Sequence, residues 1–145
     1  MATSTMKVTA TMGSTFKTDI KASHDMVIDQ PKAAGGSDLG ANPLEYYLSG
    51  LAGCLCAITR IIANQRKLEV KNMEVNLEGD IDKAFLMGNT EEGRAGFTEL
   101  RLSVKLDAPS LSKDEKEALI HEAEKRCPVA DNIENETVIK VAVTE

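Results

Sequence analysis

Residues 42–67, NPLEYYLSGLAGCLCAITRIIANQRK, constrain this chain more than any other stretch. The run carries helix signals at its start. Asn42 suits an N-cap, Pro43 the first helical position, and Glu45 the capping-box position that reaches back to the Asn42 N–H. No charged side chain occurs from 48 to 58, and a helix apolar all round belongs inside a protein. A membrane span is not expected, because it needs about 20 apolar residues and Arg60 interrupts the run. Ser49, Gly50, Ala52, Gly53 and Ala57 are small for core positions, and each glycine costs about 1 kcal/mol of helix propensity relative to Ala. Close approach of another backbone offsets that cost, and a twin helix from a second subunit fits.

At 145 residues the chain reads as one domain, 1–145, with a core of its own. It has 23 acidic and 17 basic residues, a net charge of -6, and no Lys/Arg stripe. Nucleic acid and anionic membrane surfaces are therefore not expected partners. The opening MATSTMKVTATM lacks the apolar core of an export signal, which points to a cytoplasmic protein. Three cysteines make an odd count, against a disulfide framework. In a reducing compartment a cysteine is either a small buried hydrophobe or a working thiol.

The rest of the chain alternates strands and helices. Residues 7–12 and 16–20 alternate apolar and polar around Gly13-Ser14, a hairpin pattern, and 26–29 adds a short strand. Residues 30–41 hold Pro31, Gly35, Gly36 and Gly40 and read as a loop; their spacing matches neither phosphate-binding glycine pattern. Met73, Val75 and Leu77 mark a strand, and Leu100, Leu102, Val104 and Leu106 mark its partner. The acidic insert 80–96 between them has no clear element. Ser112-Lys113-Asp114-Glu115 is a capping box opening an amphipathic helix to about Arg126, with Pro128 stopping it. Residues 138–143 read as a last strand.

Cys54 and Cys127 are the residues to weigh for chemistry. Cys54 lies on the central helix, Cys127 at the abrupt end of the second. Packing alone accounts for a buried cysteine such as Cys54; Cys127 before a helix-ending proline is harder to explain as filler. Cys54 and Cys56 are two apart on a helix and point to nearly opposite faces, so they neither pair nor share a metal. His24 and His121 are the only histidines, too few for a zinc site. No metal or cofactor is expected.

The loop GGSDLGANPLE, the helix segment LAGCLCAITR and the later CPVADNI together resemble the OsmC/Ohr family of small thiol-dependent peroxidases, and the order of elements is similar over nearly the whole chain. The resemblance implies an α+β fold, antiparallel sheets around a long buried central helix, and an intertwined homodimer with two active sites at the subunit interface. It implies Cys54 as the peroxidatic cysteine and Cys127 as the resolving one. An organic hydroperoxide would oxidise Cys54 to a sulfenic acid, Cys127 would condense with it, and a dithiol reductant would restore both. Cys56 has no role in that scheme.

In two respects the chain departs from the family pattern, which holds the thiolate with an arginine of the N-terminal hairpin linked to a glutamate early in the central helix. No arginine precedes Arg60; Lys17 or Lys21 are the point charges available on the hairpin, without the bidentate fork. Arg60 falls on the face of Cys56. Glu45 is the nearest match to the glutamate, displaced by one position, and is already explained as a cap. The alternative is an OsmC-like dimer that binds a small hydrophobic ligand without catalysis.

Overall fold

Alternation builds the first part of the molecule. In the computed structural model, which describes residues 2–145, the chain divides into two units, Met1–Ser49 and Gly50–Glu145. In the first, β1 (Thr9–Met12), β2 (Thr18–Lys21) and β3 (Met26–Ile28) form an antiparallel meander in the order β1-β2-β3. Ala10 pairs with Ile20 and Ile20 with Met26, and Ile20 is the buried residue of the sheet.

The glycine-bearing loop after β3 is folded on a carboxylate. Asp29, 1% exposed, accepts from the N–H groups of Gln30 (2.8 Å), Leu39 (3.1 Å) and Ser37 (3.2 Å). Burial pushes its pKa up, but the three amides, helped by Lys17, outweigh that and leave it below the usual carboxylate range. Two glycines are required by close backbone approach: a Cβ on Gly36 would lie 1.9 Å from the Gln30 carbonyl oxygen, and one on Gly40 2.1 Å from that of Val27.

The predicted central helix is α1, Pro43–Arg66. Its capping box is complete: the Asn42 N–H donates to Glu45 Oε2 and the Glu45 N–H to Asn42 Oδ1, both at 2.9 Å. In its first turns Tyr46 Oη donates to the Val27 carbonyl at 2.9 Å. The helix closes on Lys67 at φ 55°, with Leu68 N–H bonded to the Ala63 carbonyl and Lys67 N–H to that of Asn64, the paired bonds of a Schellman end. By length and hydropathy α1 meets the description of a membrane span, yet one stripe of it packs into a protein core.

That core belongs to the second unit. Leu51, Leu55, Thr59, Ile62 and Ala63 are the buried residues of α1. β4 (Asn72–Ile81) and β5 (Phe97–Asp107) pair antiparallel, with Val75 opposite Val104 and Leu77 opposite Leu102, as the alternation predicts. The insert between them contains one short helix, α2 (Lys83–Leu86), capped by Asp82. α3 (Lys113–Arg126) opens with the predicted box. Leu55, Ile62, Ala63, Val70, Leu106, Leu119 and Ala123 form the main cluster, joining α1, β5 and α3.

Two expectations need correction. Pro128 does not simply stop a helix; it opens another, α4 (Pro128–Glu134), at whose first position proline's missing N–H is no loss. Residues 138–143 form no strand within the chain. Val138, Ile139, Val141 and Val143 are 82–94% exposed, and no strand of the described residues pairs with them. Within the single chain α1 is enclosed on one side, and the side that carries the small residues is open. Gly50, Gly53 and Ala57 are exposed, and a Cβ on either glycine would meet nothing within 4 Å.

Candidate active site

Cys127 sits where two helices meet. Its N–H donates to the Glu124 carbonyl (3.1 Å), closing α3, and its carbonyl accepts from Asp131 (3.0 Å), opening α4. Its Sγ accepts from the Ala130 N–H at 3.4 Å, so cysteine is the N-cap of α4. Serine, aspartate or asparagine would cap more strongly than sulfur. Capping therefore does not explain why cysteine stands here.

Around Cys127, which is 0% exposed, packs a second apolar cluster. Leu51 and Ala130 are buried with it, and Cys54, Ile58, Leu77, Leu100, Val129 and Ile133 pack against them. The fold brings α1 and the α3–α4 junction together and places Cys54 and Cys127 in one cluster. The two thiols are near enough to influence each other's ionisation. Burial pushes the Cys54 pKa up, and the neighbouring Cys127 thiol pushes it further. The Val129 N–H, from the first turn of α4, acts in the opposite sense. The net direction is up, so Cys54 rests as the neutral thiol. No lysine or arginine of Gly50–Glu145 is among the groups acting on it.

Beside this cluster lies a cleft of about 380 Å³. Leu51, Leu55, Leu100, Ile133 and Cys127 line its apolar wall, with His121 and Glu124 among its polar lining. His121 Nδ1 is 3.4 Å from Glu124 Oε2.

The other residues singled out by sequence have separate engagements. Glu45, in the first unit, is exposed and completes the α1 capping box. Lys17 pairs with Asp19 at 2.8 Å and Lys21 with Asp25 at 2.5 Å, each within its own hairpin. Arg60 donates to the Val70 carbonyl at 2.7 Å, which fastens the second half of α1 to the segment leading into β4. Cys56 is half-buried and free, and belongs to neither apolar cluster. Sequence reasoning missed α4 and with it the Val129 and Ala130 amides that face the two sulfurs. The signal was present: proline directly after a residue with a side-chain acceptor is a helix start as well as a helix stop.

Comparison with known proteins matches residues 35–142 to the family model described as OsmC-like protein. The uncharacterized protein MJ0573 of Methanocaldococcus jannaschii is 27% identical over 92 residues, 63% of this chain and 44% of that protein, so the match spans less than half of that relative's length. The hydroperoxide reductase of Mycoplasma genitalium is 26% identical over 105 residues, 72% of this chain and 70% of that protein. Among solved structures, an OsmC like protein from Mycoplasma pneumoniae superposes with a TM-score of 0.78 at 23% identity, covering 92% of this chain and 89% of that one. That last likeness is one of fold.

Proposed function

This chain belongs to the OsmC-like family, and from that premise we propose that it is a thiol-dependent peroxidase acting on organic hydroperoxides. The observation that carries the reading is the meeting of Cys54 and Cys127 in one apolar cluster. The kinship to a protein named hydroperoxide reductase supports it. Cys54, as thiolate, attacks the distal oxygen of the hydroperoxide; the O–O bond breaks, the alkoxide takes a proton and leaves as the alcohol, and Cys54 becomes a sulfenic acid. The Cys127 sulfur then displaces the sulfenic oxygen as water, forming the Cys54–Cys127 disulfide. A dithiol returns both to thiols by exchange, itself becoming a disulfide. Apolar walls favour an alkyl or aryl hydroperoxide over hydrogen peroxide, whose hydration they do not replace.

The same reading takes the working unit as a homodimer in the reducing cytoplasm. Its support is the open Gly50–Gly53–Ala57 face of α1 and the unpaired apolar tail from Val138 to Val143.

One observation favours a second reading, a dimer that binds a small hydrophobic ligand: the 380 Å³ cleft stands beside a thiol that its surroundings keep neutral. Titration with cumene hydroperoxide separates the two. The peroxidase loses two thiols per chain at one equivalent, and Cys127→Ala accumulates a Cys54 sulfenic acid that dimedone traps. Survival of all three thiols favours the ligand-binding dimer.

A further inference from the structure

We infer that thiol exchange on the oxidised protein takes place at Cys54 alone, with Cys127 as the leaving sulfur that no external reductant touches. The inference rests on the proposed disulfide between the two residues and assigns each sulfur its part in the reductive half of the cycle.

Exchange requires the attacking sulfur, the attacked sulfur and the leaving sulfur to lie nearly in line, and its rate depends on access to the attacked atom. The two cysteines differ in that respect. Cys127 is 0% exposed. Leu51 and Ala130 are buried against it, and α3 and α4 both hold its backbone. A thiol approaching Cys127 from the side opposite Cys54 would have to pass through that packing. Cys54 is partly exposed, and it packs at the margin of the cluster whose buried members are Leu51, Cys127 and Ala130. Attack therefore falls on Cys54. The Cys54–Cys127 bond breaks, its electron pair leaves on Cys127, and the Ala130 N–H already points at that sulfur at 3.4 Å. The mixed disulfide sits on Cys54. The second thiol of the dithiol then closes onto the first and releases Cys54 as thiolate; the dithiol has given two electrons to the protein and departs as the cyclic disulfide.

The rival route runs through the 380 Å³ cleft, whose wall includes Cys127, and the experiment distinguishes them. The Cys54–Cys127 disulfide is made with diamide in a Cys56→Ser background, so that its formation does not depend on peroxide chemistry. A tagged, uncharged monothiol is added, the mixture is quenched in acid, and the tag is located by peptide mass spectrometry. At the earliest times the tag is expected on Cys54 at least ten-fold over Cys127. A Leu102→Trp variant, which fills the cleft, is expected to be reduced at the parent rate within two-fold. A tag mainly on Cys127, an even division, or a five-fold slowing by Leu102→Trp overturns the inference, as does failure of diamide to form the disulfide. Should cumene hydroperoxide leave the thiols intact while the diamide-made disulfide is opened at Cys54, the peroxidase reading fails and this assignment stands.

Discussion

A thiol is only as nucleophilic as its thiolate fraction allows, and Cys54 is set against ionisation. Burial and the Cys127 thiol both raise its pKa, and the Val129 amide offsets only part of this. Since the raised value means less thiolate at any pH below it, reactivity must climb with pH through and beyond the ordinary thiol range, near about 8.5. In a Cys56→Ser, Cys127→Ala background, iodoacetamide should alkylate the native protein several-fold more slowly than free cysteine at pH 7, with the rate still rising at pH 9. A plateau below pH 7 would show that a cation reaches this sulfur. Asp29 presents the opposite case. Its pKa is lowered, so its contribution to stability is present above the unfolded value, near about 3.9, and is lost as pH falls through the folded value. Asp29→Asn should lower Tm by several degrees at pH 7, with the gap to the parent narrowing by pH 3. Equal Tm values at pH 7 would mean the three amides need no charge.

Elements show which signals are local. Both capping boxes, Asn42/Glu45 and Ser112/Glu115, are legible as four-residue patterns because each is satisfied entirely by its own turn. That makes Glu45 testable. If it acts only as a cap, Glu45→Gln keeps the box and should leave both Tm and peroxide consumption unchanged, whereas Glu45→Ala should cost about 1 kcal/mol of stability, measured by urea unfolding. A loss of turnover in Glu45→Gln with Tm intact would assign Glu45 a part in the chemistry. The β4–β5 pairing was equally legible, since period-two alternation determines which residues share a face. α4 was not: its seven residues are too short for a hydrophobic period to stand out, and a proline there reads as an ending unless the cap before it is noticed.

For the whole molecule the exposed glycine face of α1 and the apolar tail are the features a second subunit would cover. Within one chain, Gly50→Ala has free space and should gain up to about 1 kcal/mol of helix propensity. If a second helix packs there, Gly53→Leu must instead break the dimer. Sedimentation should therefore give a dimer for the parent and a shift toward monomer for Gly53→Leu and for a chain ending at residue 135. A parent that sediments as a monomer at micromolar concentration would sink the dimer.

By itself the sequence determined the local and periodic features: the caps, the strand faces, the long apolar helix and the small residues along it. Each depends on neighbours a few positions away, so the order of residues carries it in full. Motifs singled out the two sulfurs, but their meeting in one apolar cluster is a matter of tertiary structure. Cys54 and Cys127 are separated by two strands and two helices, and no period links them. They meet because α1 and the α3–α4 junction bury their apolar faces together. That packing also sets the protonation of Cys54, since desolvation and a neighbouring thiol exist only once the chain has folded.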